Sequence, residues 1–346
     1  MWIRIQCGLG SGADPKDMGR MGRKDSEMEK IKNVMIVGLG ALGTLYADAV
    51  EKTEGRELYV LVDEVRKERY ERDGRFLRGE RCDFKYVTPG EALLTAGGQA
   101  GDDSSKADLI IICTKSNGMK DAVDMIEGFV GDETIIMSLM NGVTCEALTD
   151  EKYGAEHGLY SIYLGDGVKN MNGDVTDVGK NRIFFGVVNE GDEPKVELVK
   201  DLFDDCGIEY IIPDDMLYAY WRKFILIDAY NQTCAIFGTS YSLFFDVPES
   251  LDFVEHLIAE CIPLAKAAGV QNADALMDDL KEVASKIVPE CTPSITQDKL
   301  MKRRMEVDIL ADEALRRSAE LGLDAPYNKA VSEILHIANK LNGFED

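Results

Sequence analysis

From residue 33 onward the chain alternates short, fully apolar runs with stretches of helical period, and no other feature limits the fold as strongly. NVMIVG, ELYVLVD, ADLIIIC and ETIIMSL are each followed by a helical stretch, beginning at Ala41, Glu64, Met119 and Cys145. Strands that are apolar on both faces must be covered on both faces, and a parallel sheet wrapped by helices meets that condition. The expected fold is α/β, a Rossmann-type doubly wound sheet. Residues 158–188 hold shorter runs (LYSIYLGDGV, DVTDVG, RIFFGVV) broken by Gly, Asn and Asp, which predict antiparallel strands extending that sheet. A helix near Lys195 to Asp205 and a last strand, EYIIP, complete this half. Beyond Pro213 strand patterns vanish, and helical period fills 215–237, 250–268, 273–287, about 296–321 and 327–341. Three segments are therefore expected: a disordered extension over 1–27, an α/β domain over 28–212 and an all-helical domain over 213–346. Residues 1–27 carry no apolar periodicity, and the GLGSG at 8–12 lacks a preceding strand. TAGGQAGDDSSKAD at 95–108 reads as a surface loop.

Charge removes several classes of function. Asp and Glu total 63 against 39 Lys and Arg, for a net charge of −24. Such a surface repels nucleic-acid phosphate and the anionic face of a membrane, so neither is an expected partner. No apolar run approaches a membrane span and the first residues lack a signal-peptide core, so the expected location is cytoplasmic. Eight cysteines are scattered singly, which predicts reduced, buried thiols without zinc or disulfides. Three histidines without close spacing leave no basis for a His-based metal site or triad.

The sharpest local signal is Gly38-Leu39-Gly40-Ala41-Leu42-Gly43, a GxGxxG that follows one strand and opens a helix. The first Gly permits a tight turn, the second lets a pyrophosphate approach the backbone, and the third lets helix pack on strand. An ordinary glycine turn is the plain alternative. Asp63, twenty residues after Gly43, ends the second apolar run, where an acidic side chain accepts hydrogen bonds from an adenosine ribose and repels a 2′-phosphate. It is equally suited to cap the helix EVRKERYER, and the two roles are compatible. Arg66, Lys67 and Arg69 stand close by as phosphate partners, so the choice between NAD and NADP stays open.

The order of motifs that follows is more specific. GLGALG, CTK ending in Lys115, MNG with Asn141, WRKFILIDAYNQT with Lys223 and Asn231, and SITQDKLMKRRMEVD with Ser294 and Glu306 resemble the ketopantoate reductase family over about 28–340. The resemblance implies an N-terminal dinucleotide-binding domain, a helical C-terminal domain, a nicotinamide cofactor (usually NADPH) and reduction of a small 2-oxo acid between the domains. The nominal reaction is 2-dehydropantoate to pantoate, a step of pantothenate biosynthesis, and a homodimer is the assembly considered.

Under the resemblance each residue takes a role, and each also has a plainer reading. Lys223, in the apolar helix AYWRKFILIDAY, has its pKa lowered toward proton-donor range if desolvated, whereas a surface lysine snorkels to solvent. Asn231, eight residues on and within about 80° around the helix, can face the same cleft and resembles a substrate-binding amide; its plain reading is a capped or water-bonded helix residue. Glu306 resembles the carboxylate that holds the substrate hydroxyl beside the lysine; its plain reading is a helical ion pair with Lys302 and Arg303. Ser294 matches a serine for the substrate carboxylate or serves as an N-cap, and Asn141 contacts nicotinamide and substrate or simply makes an Asn-Gly turn. Lys115 touches cofactor or substrate, or is an exposed loop lysine.

Departures from the family pattern bear on the substrate. Ile227, Tyr241 and Cys291 stand where relatives commonly have Asn. Fewer amides suit a less hydroxylated substrate. The alternatives are a reductase of a different oxo acid or imine, and a non-catalytic dinucleotide-binding redox sensor, which would need none of Lys223, Asn231, Ser294 and Glu306.

Overall fold

The computed structural model describes residues 30–91, 106–165, 168–171, 174–177 and 181–344. The extension expected over 1–27, and the larger part of the loop expected over 95–108, lie outside the described residues.

The chain begins with β1 (Asn33–Val37), α1 (Ala41–Glu51), β2 (Glu57–Leu61) and α2 (Glu64–Asp73). A hairpin of β3 (Arg75–Leu77) and β4 (Glu80–Cys82) leads to β5 (Tyr86–Val87), β6 (Leu109–Ile112), α3 (Met119–Met125), β7 (Ile135–Ser138) and α4 (Cys145–Tyr153). Five of these strands form one parallel sheet in the order β5-β2-β1-β6-β7. The chain starts in the middle and winds outward in both directions, the topology that places ligands beyond the carboxyl ends of the central strands.

Alternate residues of each strand enter different cores. Val34, Ile36, Val60, Leu109 and Ile111 face a core shared with Ala47 and Val50 of α1. Met35, Tyr59, Ile110, Ile112 and Ile136 face a second core that runs without a break into Tyr220, Trp221, Phe224 and Leu257 of the helical half. The helical half therefore packs against the sheet as a covering layer for its second face.

The next strands are β8 (Ser161–Gly165), β9 (Val168–Met171), β10 (Asp174–Asp177) and β11 (Asn181–Phe185), then α5 (Glu193–Cys206) and β12 (Tyr210–Ile211). They do not simply extend the parallel sheet. β12-β11-β8 is a separate three-stranded sheet, joined to β7 by a single bridge at Ile136 and Gly158, and β9-β10 instead continues the β3-β4 hairpin. The turn over Gly154–Gly158 leads into that bridge, which is made by the Ile136 N–H to the His157 carbonyl and the Leu159 N–H to the Ile136 carbonyl. Phe185 meets Phe203 of α5 edge to face and Tyr210 at a tilt, which closes the small sheet.

From Met216 on, the described elements are helical: α6 (Met216–Leu226), α7 (Gln232–Phe237), α8 (Leu243–Asp246), α9 (Ser250–Ala267), α10 (Leu276–Ser285), α11 (Ser294–Leu300), α12 (Ala311–Glu320) and α13 (Pro326–Leu341). The helix expected over about 296–321 is interrupted. Residues 301–310 run irregularly, with Lys302 at φ 53° and Met305, Val307 and Ile309 buried in alternation with Glu306 and Asp308. The backbone of Met305 finds its partners in the Asn339 side-chain amide, at 2.9 and 3.1 Å, in place of a helical ladder. No helix among the described residues is long and apolar enough to cross a membrane. Among them, seven cysteines form no disulfide, and Cys82, Cys145, Cys234 and Cys261 are buried.

Candidate active site

The glycine turn is shaped by contact with the neighbouring strand. Gly38 adopts φ 97°, and a Cβ there would lie 2.9 Å from the Cys113 backbone. A Cβ on Gly43 would lie 1.9 Å from the Gly38 carbonyl oxygen, so only glycine lets α1 start this close to β1. Gly40 differs: its nearest neighbour is 3.9 Å away, and it caps α1 without any side-chain hydrogen bond. The opening at Gly40 and the uncapped first turn, spanned by Ala41 and Leu42, form a cradle that fits a dinucleotide pyrophosphate. Leu39 is buried and anchors the turn from below. Asp63 caps α2 through the Arg66 backbone N–H at 2.6 Å and also pairs with the Arg66 guanidinium, still at the sheet's carboxyl edge one strand from the glycine turn.

The segments after β6 and β7 carry Lys115 and Asn141, and both meet the helical half. Lys115 is no free loop lysine: its Nζ lies 2.8 Å from Asp298 and 3.6 Å from Glu306. Desolvation lowers its pKa, but Glu306 and Asp298 more than offset this and leave it above the ordinary lysine value. The next residue continues the junction. The Ser116 N–H donates to Glu306 at 2.9 Å and its hydroxyl to Asp308 at 2.9 Å. Glu306 and Asp308 reach one serine because Met305, Val307 and Ile309 are buried in alternation with them, which leaves the two carboxylates on the other side of this irregular segment. The expected helical pairing of Glu306 with Lys302 and Arg303 is thus corrected; Arg303 turns back to Asp298 at 2.7 Å. Half-buried Asn141 precedes Gly142, at φ 87°, where a Cβ would lie 2.7 Å from the Ile309 carbonyl oxygen. Arg317 of α12 donates to the Val143 carbonyl at 3.0 Å, fastening the same loop.

Lys223 lies in this seam on α6 and does not snorkel, since only 8% of it is exposed. Burial lowers its pKa to about 8, against the opposing pull of the Glu146 and Glu306 carboxylates. One turn further on, Ile227–Asn231 forms a π-helical turn. Eight residues at about 100° each overshoot two full turns by about 80°, and wider π-helical winding removes part of that excess, rotating Asn231 back toward Lys223. The widened turn is held by Gln232, whose amide donates to the Asp228 carbonyl and carboxylate at 3.0 and 2.8 Å. Burial pushes Asp228 up to about 7. Tyr241 donates its hydroxyl to Asn231 Oδ1 at 2.7 Å, which leaves the amide N–H groups of Asn231 as its outward function. Ile227 is buried beside it, and the Cys291 carbonyl accepts the Tyr241 N–H at 3.1 Å.

Ser294 sits exposed at the first position of α11, with Pro293 as the N-cap residue and no side-chain cap, so the expected capping role is corrected. The structure brings Lys115, Glu306 and Lys223 into one electrostatic cluster, with the Asn141 loop alongside through Gly142 and Ile309, whereas Asp63 is engaged with Arg66 and Ser294 stands exposed at the start of α11. Sequence reasoning overlooked Glu146. This buried carboxylate in the first turn of α4 accepts the Tyr220 hydroxyl, and Tyr220 lies one turn before Lys223. The i, i+3 spacing of Tyr220 and Lys223 is visible in the sequence, but nothing local pairs Glu146 with them.

Comparison with known proteins decides the family. A sequence model described as "Ketopantoate reductase PanE/ApbA" matches residues 34–190, and one described as "Ketopantoate reductase PanE/ApbA C terminal" matches 215–339. The chain belongs to the ketopantoate reductase family. Members of this family are NAD(P)-dependent oxidoreductases that reduce 2-oxo acids. The 2-dehydropantoate 2-reductase of Streptococcus pyogenes is 23% identical over 309 residues, covering 88% of this chain and 96% of its own length. Among solved structures, D-mandelate dehydrogenase with NADH and anilino(oxo)acetate superposes with a TM-score of 0.76 at 16% identity, covering 90% of this chain and all of that one. The dimeric ketopantoate reductase of Staphylococcus aureus gives 0.67 at 16% identity, again covering 90% and 100%.

Proposed function

We propose that this member of the family reduces a 2-oxo acid to the 2-hydroxy acid, with Lys223 as the proton donor. A nicotinamide cofactor, held at the glycine turn, would supply the hydride for the carbonyl carbon; Lys223 gives its Nζ proton to the carbonyl oxygen, so that the product is a neutral hydroxyl. The observation that carries this reading is the burial of Lys223 in the seam, with its pKa brought to about 8, close to the working range of a general acid. Glu306 then holds the nascent hydroxyl, and the Asn231 amide, Ser294 and Asn141 bind the acid. Lys115 exchanges Asp298 for cofactor or substrate. The boundary between the halves is placed near residue 212, after β12.

The pocket favours a less hydroxylated acid than 2-dehydropantoate. Ile227 and Tyr241 offer no amide, and Tyr241 already occupies the Asn231 oxygen. The fold likeness to D-mandelate dehydrogenase, solved with anilino(oxo)acetate, supports this preference. For the cofactor, Asp63 disfavours a 2′-phosphate and is bonded to Arg66, so the preference for NADPH is weaker than the family norm or gives way to NADH outright. Assembly as a homodimer, as in the Staphylococcus aureus relative, is part of the proposal.

The test is turnover with a panel of 2-oxo acids, including 2-dehydropantoate, and both cofactors. Reduction of an apolar 2-oxo acid about 10-fold faster than 2-dehydropantoate supports the reading, since one or two missing hydrogen bonds account for such a ratio. Tight cofactor binding without turnover of any oxo acid or imine would point to a redox sensor instead.

A further inference from the structure

Resting on the reading of Lys223 as proton donor, we infer that Glu146, oriented by Tyr220, is the positioning residue that keeps the buried Lys223 ammonium protonated for the reaction. Three observations carry this. Glu146 and Lys223 are both buried, at 9% and 8% exposure, so neither charge is satisfied by solvent. Tyr220, itself 3% exposed, donates its hydroxyl to Glu146 Oε2 from α6, and so fixes the α4 carboxylate against the helix that carries Lys223. Glu146 is also the larger of the two carboxylate influences on Lys223, ahead of Glu306. A buried ammonium without a counter-charge gives up its proton, and a counter-charge on a different element prevents that only if it is held in place.

Tyr220 and Lys223 face Glu146 from α6, and Asp150 faces it from α4. Tyr160 lies against the Tyr220 ring at 5.0 Å, Cys145 lies beside Tyr220, and Arg317 acts on Tyr160. Glu306 faces Lys223 from the irregular segment between α11 and α12. Burial pushes Glu146 up to about 7, with the Tyr220 hydrogen bond pulling the other way, so the carboxylate and the ammonium coexist around neutral to mildly basic pH. Glu306 contacts Ser116 and Lys115, whereas Glu146 accepts the Tyr220 hydroxyl from the helix that carries Lys223.

The experiment is a pH titration of the Lys223 side chain by the 13Cε resonance, assigned by its loss in Lys223→Ala, in the full chain and in Glu146→Gln and Tyr220→Phe, alongside the pH profile of kcat. Glu146→Gln should lower the Lys223 midpoint by about one unit and move the alkaline fall of kcat down with it, leaving KM for the cofactor unchanged. Tyr220→Phe should do the same to a smaller extent, because Glu146 then stays protonated to higher pH. Glu146→Asp, which keeps the charge, should recover part of the shift. An unmoved midpoint in Glu146→Gln, or in Tyr220→Phe if the first variant does not fold, overturns the inference. Full activity in Lys223→Ala overturns the donor reading alone, since the shifted midpoint would still show the Glu146 coupling.

Discussion

The glycine turn packs on the end of β6, and the lysine seam meets the same strand's end through Lys115 and Ser116, yet the two are specified in different ways. The turn is set by hard contacts with its own strand and the next: Gly43 against the Gly38 carbonyl, Gly38 against Cys113. The environment of Lys223 comes from α4, α6 and residues 305–309, which are far apart in the chain and meet only because the helical half covers the second face of the sheet. A local steric rule is readable from a motif; a charge environment built from distant segments is not. The two sides should therefore fail differently when altered, one in binding and folding, the other in rate.

The largest effect belongs to the seam. Lys223→Ala should lower kcat by about 10²–10⁴-fold with cofactor affinity nearly unchanged, as stopped-flow reduction and fluorescence titration would show. Lys223→Arg should be nearly as slow, because a guanidinium does not release its proton near neutral pH. A loss of cofactor affinity equal to the loss of rate would erase the distinction between the two sides.

On the turn, Gly43→Ala should reduce stability by roughly 2–3 kcal/mol and cofactor affinity by about 100-fold, since the new Cβ overlaps backbone that cannot move away. Gly40→Ala is the control that sharpens the comparison. Its Cβ meets nothing closer than 3.9 Å, so the fold should hold and the cofactor alone should bind more weakly. Equal melting temperatures for the two variants would contradict the contact geometry.

Much of the first side is legible in the amino-acid sequence alone. The apolar runs locate the strands and require cover on both faces, and the glycine spacing marks the turn. On the second side the family resemblance finds Lys223, Asn231, Ser294 and Glu306, but not their setting. KLMKRRMEVDIL looks helical by composition, whereas Met305, Val307 and Ile309 alternate with Glu306 and Asp308, a period of two that is present but outweighed by the charged residues before it. That alternation is what lets Glu306 and Asp308 reach Ser116 together. The π-turn at Ile227–Asn231 has no sequence mark, because it is held by Gln232 folding back on Asp228. Glu146 carries no local signal either, because its partners come from α6.

Smaller effects test finer points. Tyr241→Phe removes the donor to Asn231 Oδ1 and leaves a buried acceptor unpaired, so kcat/KM for the oxo acid should fall by about 10-fold with cofactor binding intact. Asp63→Ala should shift the ratio of NADPH to NADH affinity upward by about 5-fold, since a like charge is removed and Arg66 is released. If only the melting temperature falls, Asp63 is a helix cap and nothing more.

The most direct test of the account is the pH dependence of kcat in the wild-type enzyme at saturating cofactor and oxo acid. A proton donor must be protonated to act, so the rate should hold at neutral pH and fall as pH rises through about 8, where burial has placed Lys223, while cofactor affinity stays level. A rate that is flat to about pH 10, or one that increases across that range, would contradict Lys223 as the donor.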